Sequence, residues 1–263
     1  MNGQTAYALR FLGVGNARAS ELGSASAVVE RDGQPWLLID CGPRTLDDFA
    51  AAYGVELPEA VFITHLHLDH IGGVEQLFYR GYFTRRGQIR VFVPVDLMPA
   101  LHAKLANSPF LLSEGGANFW EAFRLVPVGD WFWLDGLLFS VFPVRHSGHR
   151  AAFGLALAGS FFYSSDTRPI PEVIAHFARY GEPVFHDCGL HPSPAHTGLP
   201  DVLREYPQEV LRRLVAYHYE SAEAGRQIAA AGLTLARPGD SFRLPAPRTP
   251  AEVAAMGVVA AGG

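Results

Sequence analysis

Apolar and polar positions alternate with two different periods along this chain, and the switches between them set the expected elements. "AYALRFLGVG" and "SAVVERDGQPWLLIDCG" read as three strands. The last two are joined at Asp32-Gly33, a pair that tolerates the left-handed backbone of a tight hairpin. "RTLDDFAAAYG" reads as a helix ended by its glycine, and "EAVFITH" as a short buried strand. "GGVEQLFYRGYF" predicts a helix, "QIRVFVP" a strand, "MPALHAKLA" a helix, and "LLSEGGANFWEAF" a loop with a short helix. Strands follow at "WFWL" and "LLFSVFPV", turning at Asp135-Gly136, then at "AAFGLALAG" and "SFFYSSD". Helix, strand, helix and strand come next at "PEVIAHFARYG", "PVFHDCG", "PQEVLRRL" and "VAYHY". A helix at "SAEAGRQIAAAG" and strands at "LTLARPG" and "SFRLP" close the series. The tail after about residue 245 carries little pattern and is expected to be loosely held. The order points to two sheets face to face with helices outside, an α/β, four-layer αββα sandwich in a single domain over 1–263.

Composition narrows the function. Hydrophobic residues make up 49% and charged residues 18%, which fits a folded globular chain. The net charge of -5 gives no global attraction to nucleic acid, and Lys104 is the single lysine among 21 basic residues. Arg80, Arg85, Arg86 and Arg90 cluster in sequence and read as a solvated face, with contact to a substrate phosphate as the alternative. The two cysteines, Cys41 and Cys188, form no disulfide framework and read as buried thiols. "MNGQTAYALRFLG" lacks a secretory pattern, and no apolar run reaches the ~20 residues that span a bilayer. A cytoplasmic protein without a membrane partner is expected.

Residues 64–70, "THLHLDH", put three of the chain's eleven histidines and an aspartate into seven positions. A loop leaving a strand can aim His65 and His67 at one point, then turn Asp69 and His70 toward a second. Imidazole with carboxylate suits zinc, manganese or iron, and the lack of a nearby cysteine favours an open catalytic site over a closed structural one. Without a metal, such a run behind a buried strand leaves polar groups to satisfy.

The H-x-H-x-D-H run with "GG" after it resembles the metallo-β-lactamase superfamily of binuclear metal hydrolases. "LRFLGVGNA", "LLIDCGP", "VRHSGHRAAFGLAL", "FYSSDTRP" and "VAYHY" match its further motifs in order, covering roughly residues 8 to 243. "SSDTRP", "VFHDCGL" and "AHTG" are similar to the ribonuclease Z branch. The resemblance implies two divalent transition-metal ions, Zn2+ first and Mn2+ second. His65, His67 and His146 would hold one, Asp69, His70 and His218 the other, and Asp166 would bridge both. Asp69 and His196 would carry catalysis, His196 as a proton donor to the leaving group. Asp40 would orient the metal loop from behind. His186 and Asp187 would support His196 or be satisfied core groups, and both readings stay open. His149 competes with His146, which the family pattern favours.

Two departures shape the substrate. The tRNA-processing enzymes carry a long arm between the third histidine and the bridging aspartate, and here 20 positions separate His146 from Asp166. Asp187 also stands where those enzymes usually have glutamate. The resemblance therefore implies a phosphodiesterase for small diesters, cyclic nucleotides foremost, since certain phage and bacterial members degrade cyclic-nucleotide immune signals. A tRNA 3′-processing endonuclease is the alternative. Sulfatase-like or lactonase-like hydrolysis and a non-catalytic binding scaffold come after it. Asp166 occupies the place of the lactamases' cysteine, which disfavours lactam cleavage. Phe110, Phe119 and Trp120 are candidates to stack on a base. A homodimer is expected, with the 111–123 loop as a lid or as an arm into the partner's pocket.

Overall fold

A computed structural model describes residues 5–105, 111–112, 115–116 and 119–255. Its first sheet takes strands β1 (Tyr7–Gly13), β2 (Ser26–Arg31), β3 (Gln34–Ile39), β4 (Ala60–Phe62) and β5 (Ile89–Pro94). After a small hairpin of β6 (Leu111–Leu112) and β7 (Gly115–Gly116), strand β8 (Phe123–Val128) rejoins it. The second sheet takes β9 (Trp131–Leu134), β10 (Leu137–Pro143), β11 (Phe153–Leu157), β12 (Phe161–Tyr163), β13 (Val184–Asp187), β14 (Leu214–Tyr217) and β15 (Thr234–Leu235). Strand β16 (Ser241–Leu244) returns to the first sheet, beside β1. The orders are β16-β1-β2-β3-β4-β5-β8 and β15-β14-β13-β12-β11-β10-β9.

Each sheet changes from antiparallel to parallel pairing part-way across. In the first the change falls at β3, in the second at β12. The antiparallel parts use tight hairpins. Arg31 pairs with Gln34 across Asp32 (φ 52°) and Gly33 (φ 74°), and Leu134 pairs with Leu137 across Asp135 (φ 47°) and Gly136 (φ 85°). Both central residues of each turn are left-handed, as this hairpin type demands. The parallel parts need crossovers, which are helical. Helices α1 (Thr45–Tyr53), α2 (Leu68–Ile71), α3 (Val74–Thr84) and α4 (Met98–Leu105) serve the first sheet. Helices α5 (Pro171–Phe177), α6 (Leu199–Glu205), α7 (Gln208–Leu211) and α8 (Ala222–Ala230) serve the second, and α9 (Pro250–Ala255) lies in the segment after β16.

The sheets meet through aromatic rings. Phe11 of β1 lies 5.3 Å from Tyr217 and 5.7 Å from Phe185, and Trp36 of β3 lies 5.4 Å from Phe139. Strands β11 to β14 are buried at every position, as expected where both faces are covered. One contiguous apolar cluster spans both sheets, so the architecture is the four-layer αββα sandwich. Among the described residues no helix is long and apolar enough to cross a membrane.

Several elements depart from the expected series, among them α2 within the histidine run, the β6–β7 hairpin, and α9 in the tail expected to be loosely held. Residues 123–128 form an edge strand that the pattern hid, because Arg124 and Pro127 face solvent; an edge position tolerates the proline. The short helix α6 was masked by Pro200, which sits in its first turn, where a missing N–H costs nothing. Phe110 lies outside the described residues, as do residues 113–114 and 117–118 of the 111–123 loop and the tail beyond 255.

Candidate metal centre

The parallel strands deliver their chemistry at their carboxyl ends, where open α/β sheets place ligands. Asp40 follows β3 in a left-handed turn (φ 62°), fully buried. Its Oδ1 accepts the Thr64 amide at 2.8 Å, and its Oδ2 accepts the Thr64 hydroxyl at 2.7 Å. The same Oδ2 lies 2.8 Å from His70 Nδ1, which turns His70 Nε2 away from Asp40. Asp40 thus grips both ends of the histidine run. The expected loop is tightened by the single turn of α2, which begins directly after His67 and carries Asp69 and His70. The run rests on Gly42, where a Cβ would stand 2.0 Å from the Asp69 carbonyl oxygen.

The second sheet supplies the other side. Asp166 follows β12, Asp187 ends β13 and His218 follows β14 with φ 67°. His146 comes from the turn after β10, and His196 from the loop between β13 and α6. The ligand-type atoms of His65, His67, His146 and Asp166 all lie within 4.8 Å of one another, and so do those of Asp69, His70, Asp166 and His218. Asp166 belongs to both groups. Its Oδ2 stands 3.5 Å from His65 Nε2 and 3.3 Å from both His70 Nε2 and His218 Nε2.

His65 Nε2, His70 Nε2, His218 Nε2 and both Asp166 carboxylate oxygens are buried and lack any hydrogen-bond partner. Leaving a buried polar atom unpaired costs roughly 1–3 kcal/mol, so five around one point demand a shared partner. A cation would supply it. Burial holds the His65, His67 and His146 rings below the usual histidine range, in the neutral form that binds metal. His70 and His218 go the other way. Burial opposes their charge, but Asp166 with Asp40 drives His70 well up, and Asp166 with Asp187 and Asp69 pushes His218 up to about 10. The carboxylates thus create a field that favours positive charge at this point. The residues present fit a pair of metal ions.

The surroundings orient the rings. His146 Nδ1 donates to the Ala195 carbonyl at 2.9 Å, leaving Nε2 for the centre. Asp187 Oδ2 accepts His196 Nδ1 and the Thr167 amide, each at 2.9 Å, and Oδ1 lies 3.4 Å from His218 Nδ1. His186 takes no part, because its ring turns onto Tyr206 Oη at 2.7 Å and its own strand's Asp187 carbonyl at 2.7 Å. His149 is exposed on the turn beyond His146. The four clustered arginines pair with Asp47, Glu59, Glu121 and Asp135, and none lines the cavity. Trp120 stacks on His102 and donates to its Nδ1 at 2.8 Å. A cavity of about 860 Å³ opens over the centre, lined by His67, Asp69, Asp166, His196 and His218 and reaching Arg18. The sequence signalled neither Arg18 nor the Ala195 carbonyl, since a backbone acceptor has no sequence signature.

Paired αββα sheets with this cluster at their carboxyl ends define a hydrolase of the metallo-β-lactamase fold. Solved structures share that fold: a diphosphatase of the PhnP family (TM-score 0.70, 20% identity, 90% of this chain and 97% of that one) and YhfI from Bacillus subtilis (TM-score 0.69, 14% identity, 90% and 99%). The short form of human tRNase Z superposes with TM-score 0.60 at 18% identity, over 91% of this chain and 100% of that one. The chain belongs to the family of the anti-Pycsar protein Apyc1, whose model matches residues 7–242. The Apyc1 of Paenibacillus harenae is 29% identical over 220 residues, 80% of this chain and 89% of that protein. That of Bacillus phage BSP38 is 28% identical over 235 residues, 80% and 88%. The chain is accordingly an enzyme, a hydrolase of phosphodiesterase type.

Proposed function

We propose that this enzyme hydrolyses small phosphodiesters, cyclic nucleotides foremost, with two divalent transition-metal ions, zinc before manganese. The observation that carries the reading is the buried, unpaired Asp166 carboxylate shared by two groups of ligand atoms. His65, His67 and His146 would hold one ion, Asp69, His70 and His218 the other, and Asp166 both. When bound, such a pair polarises a phosphoryl group and lowers the pKa of a water toward neutrality.

The chain's own groups do the rest. Asp69 lines the cavity and takes the attacking water's proton. His196 faces the same cavity with Nδ1 committed to Asp187, so Nε2 delivers a proton to the leaving oxygen. Burial opposes a charged ring, but Asp187 and Asp166 outweigh it and raise His196 above the usual histidine range, the direction a proton donor needs.

Substrate size follows from the connection between His146 and Asp166. A short turn and the β11–β12 hairpin use up those residues, so no arm leaves the domain there to grip an RNA. Membership of the anti-Pycsar family, with relatives in Bacillus phages and Paenibacillus, supports a cyclic-nucleotide substrate. A homodimer belongs to the same proposal. Trp131 and Trp133 project 55% and 50% exposed from edge strand β9, an apolar surface of the kind interfaces cover.

His196→Ala tests the chemistry. It should keep both metals and lose roughly 10²–10⁴-fold in kcat on a 3′,5′-cyclic nucleotide, and far less on a nitrophenyl diester whose leaving group needs no proton. Equal losses on both remove the acid role. Cleavage of precursor tRNA without cyclic-nucleotide turnover hands the enzyme to the tRNA-processing reading.

A further inference from the structure

The loop that carries His196 has few apolar anchors. Pro192 and Pro194 are exposed, and Leu190 and Ala195 are only half-buried. Its internal bonds close the turn and the neck but touch no ring atom: Ser193 Oγ accepts the amides of Ala195 at 3.2 Å and His196 at 3.0 Å, the Ser193 amide donates to the His196 carbonyl at 3.2 Å, and the Gly189 amide donates to the Thr197 carbonyl at 3.0 Å. From outside the loop, Asp187 holds the ring at Nδ1 and His146 holds the Ala195 carbonyl, which leaves the backbone on either side of His196 to be fixed. The segment after Asp166 does this at two neighbouring residues. Thr197 Oγ1 donates to the Thr167 carbonyl at 2.6 Å. Arg168 Nη1 donates to the carbonyl of Ser193 at 3.1 Å and to that of His196 itself at 2.9 Å.

The guanidinium is itself held. Asp201 Oδ2 lies 2.6 Å from the same Nη1, and Asp201 is buried to 2% exposure at the start of α6. The Arg168 amide donates to the Arg145 carbonyl at 2.7 Å, directly before His146. Arg168 thus links the Asp166 turn, the His146 turn and the His196 loop. A planar, always-charged fork suits this better than an ammonium, because its donors stay in fixed directions.

We propose that Arg168 is the positioning residue for His196, setting the imidazole over the reacting centre through the two carbonyls that bracket its turn. The inference rests on the proton-donor role of His196 given above. Arg168 does not line the cavity and is not among the ligand residues, so it acts only through the loop. Its loss acts by letting the ring wander, and misplacement of a reacting group by about 1 Å costs on the order of 10²-fold.

The test uses Arg168→Met and Arg168→Lys in the full chain, saturated with zinc and checked by elemental analysis, beside His196→Ala and the double variant. Arg168→Met should lower kcat on a 3′,5′-cyclic nucleotide by roughly 10–100-fold with KM nearly unchanged, and bis(4-nitrophenyl) phosphate hydrolysis by only about 3-fold. Arg168→Lys should recover part of the loss. In the His196→Ala background, Arg168→Met should cost no more than about 2-fold further, since both changes act through one group. Hydrogen exchange provides a readout independent of turnover: amides 193–197 should exchange faster while strands β11 to β14 keep their protection. Equal losses on both substrates, full additivity with His196→Ala, or unchanged exchange in the loop would each overturn the proposal. So would loss of metal under saturation, which would make Arg168 a support of the metal loops. If Arg168→Met does not fold, Arg168→Lys carries the same arms at smaller amplitude. If His196→Ala itself hurts both substrates equally, the proton-donor reading fails, and the double variant with hydrogen exchange still decides whether Arg168 positions the ring.

Discussion

Replacing Asp187 with asparagine keeps the shape of a fully buried side chain and removes its charge. Three N–H groups face this carboxylate: the Thr167 amide and His196 Nδ1 at 2.9 Å on Oδ2, and His218 Nδ1 at 3.4 Å from Oδ1. The carboxylate accepts the two on Oδ2, and its Oδ1 faces the His218 N–H as a charge without a hydrogen bond. An amide offers one oxygen, so its NH2 must point at a ring N–H. The loss is that of a charge-assisted hydrogen bond, about 1.5–3 kcal/mol. Losing that charge lowers the His196 pKa from its raised value. The sign is fixed by the role. Burial opposes a charged His196, but the bond and charge of Asp187 outweigh it and raise the ring above its ordinary value. A proton donor works while protonated, so kcat falls as pH rises through that raised value. In Asp187→Asn the falling limb should move to lower pH, with roughly 10–100-fold less activity on the alkaline side of neutrality. The assay is kcat against pH on a 3′,5′-cyclic nucleotide, with metal content measured on the same samples. A limb at the same pH in fully loaded Asp187→Asn would refute the reasoning.

Asp166→Ala should lower bound metal from about two ions per chain to one or fewer, measured by elemental analysis after dialysis; full double occupancy would show that Asp166 is no bridge. Gly42→Ala places a Cβ 2.0 Å from the Asp69 carbonyl oxygen and 2.4 Å from Ser24 Cβ. Overpacking of this kind costs about 1–3 kcal/mol, and a thermal melt should show Tm lower by several degrees; an unchanged Tm would mean that the contact yields freely.

Much of the fold was legible because its turns and strands announce themselves. Asp32-Gly33 and Asp135-Gly136 adopt the left-handed pair their sequence implies, and β11 to β14 read as apolar runs because both faces are covered. Strand β8 was illegible because an edge strand need satisfy only one neighbour, which leaves Arg124 and Pro127 free to break the pattern. The histidine run was the plainest chemical signal, since it packs four polar side chains behind a buried strand. The split between Asp187 and His186 was not legible. Adjacent residues on a strand face opposite ways, and only the register shows that Asp187 meets His196 while His186 meets Tyr206. Arg168 escaped for a similar reason: its acceptors are mostly backbone carbonyls, which every residue has.

The centre is divided between the two sheets. The loops of the first contribute His65, His67, Asp69 and His70, and those of the second contribute His146, Asp166 and His218. Neither half holds a complete set of donors, and the shared carboxylate comes from one side alone. The last strand, β16, crosses back to lie against β1, so the chain is laced shut across the same seam. A chain severed between β8 and β9 would therefore be a two-piece reporter. Each fragment would be silent by itself, and recovered turnover would measure how well the pieces find each other.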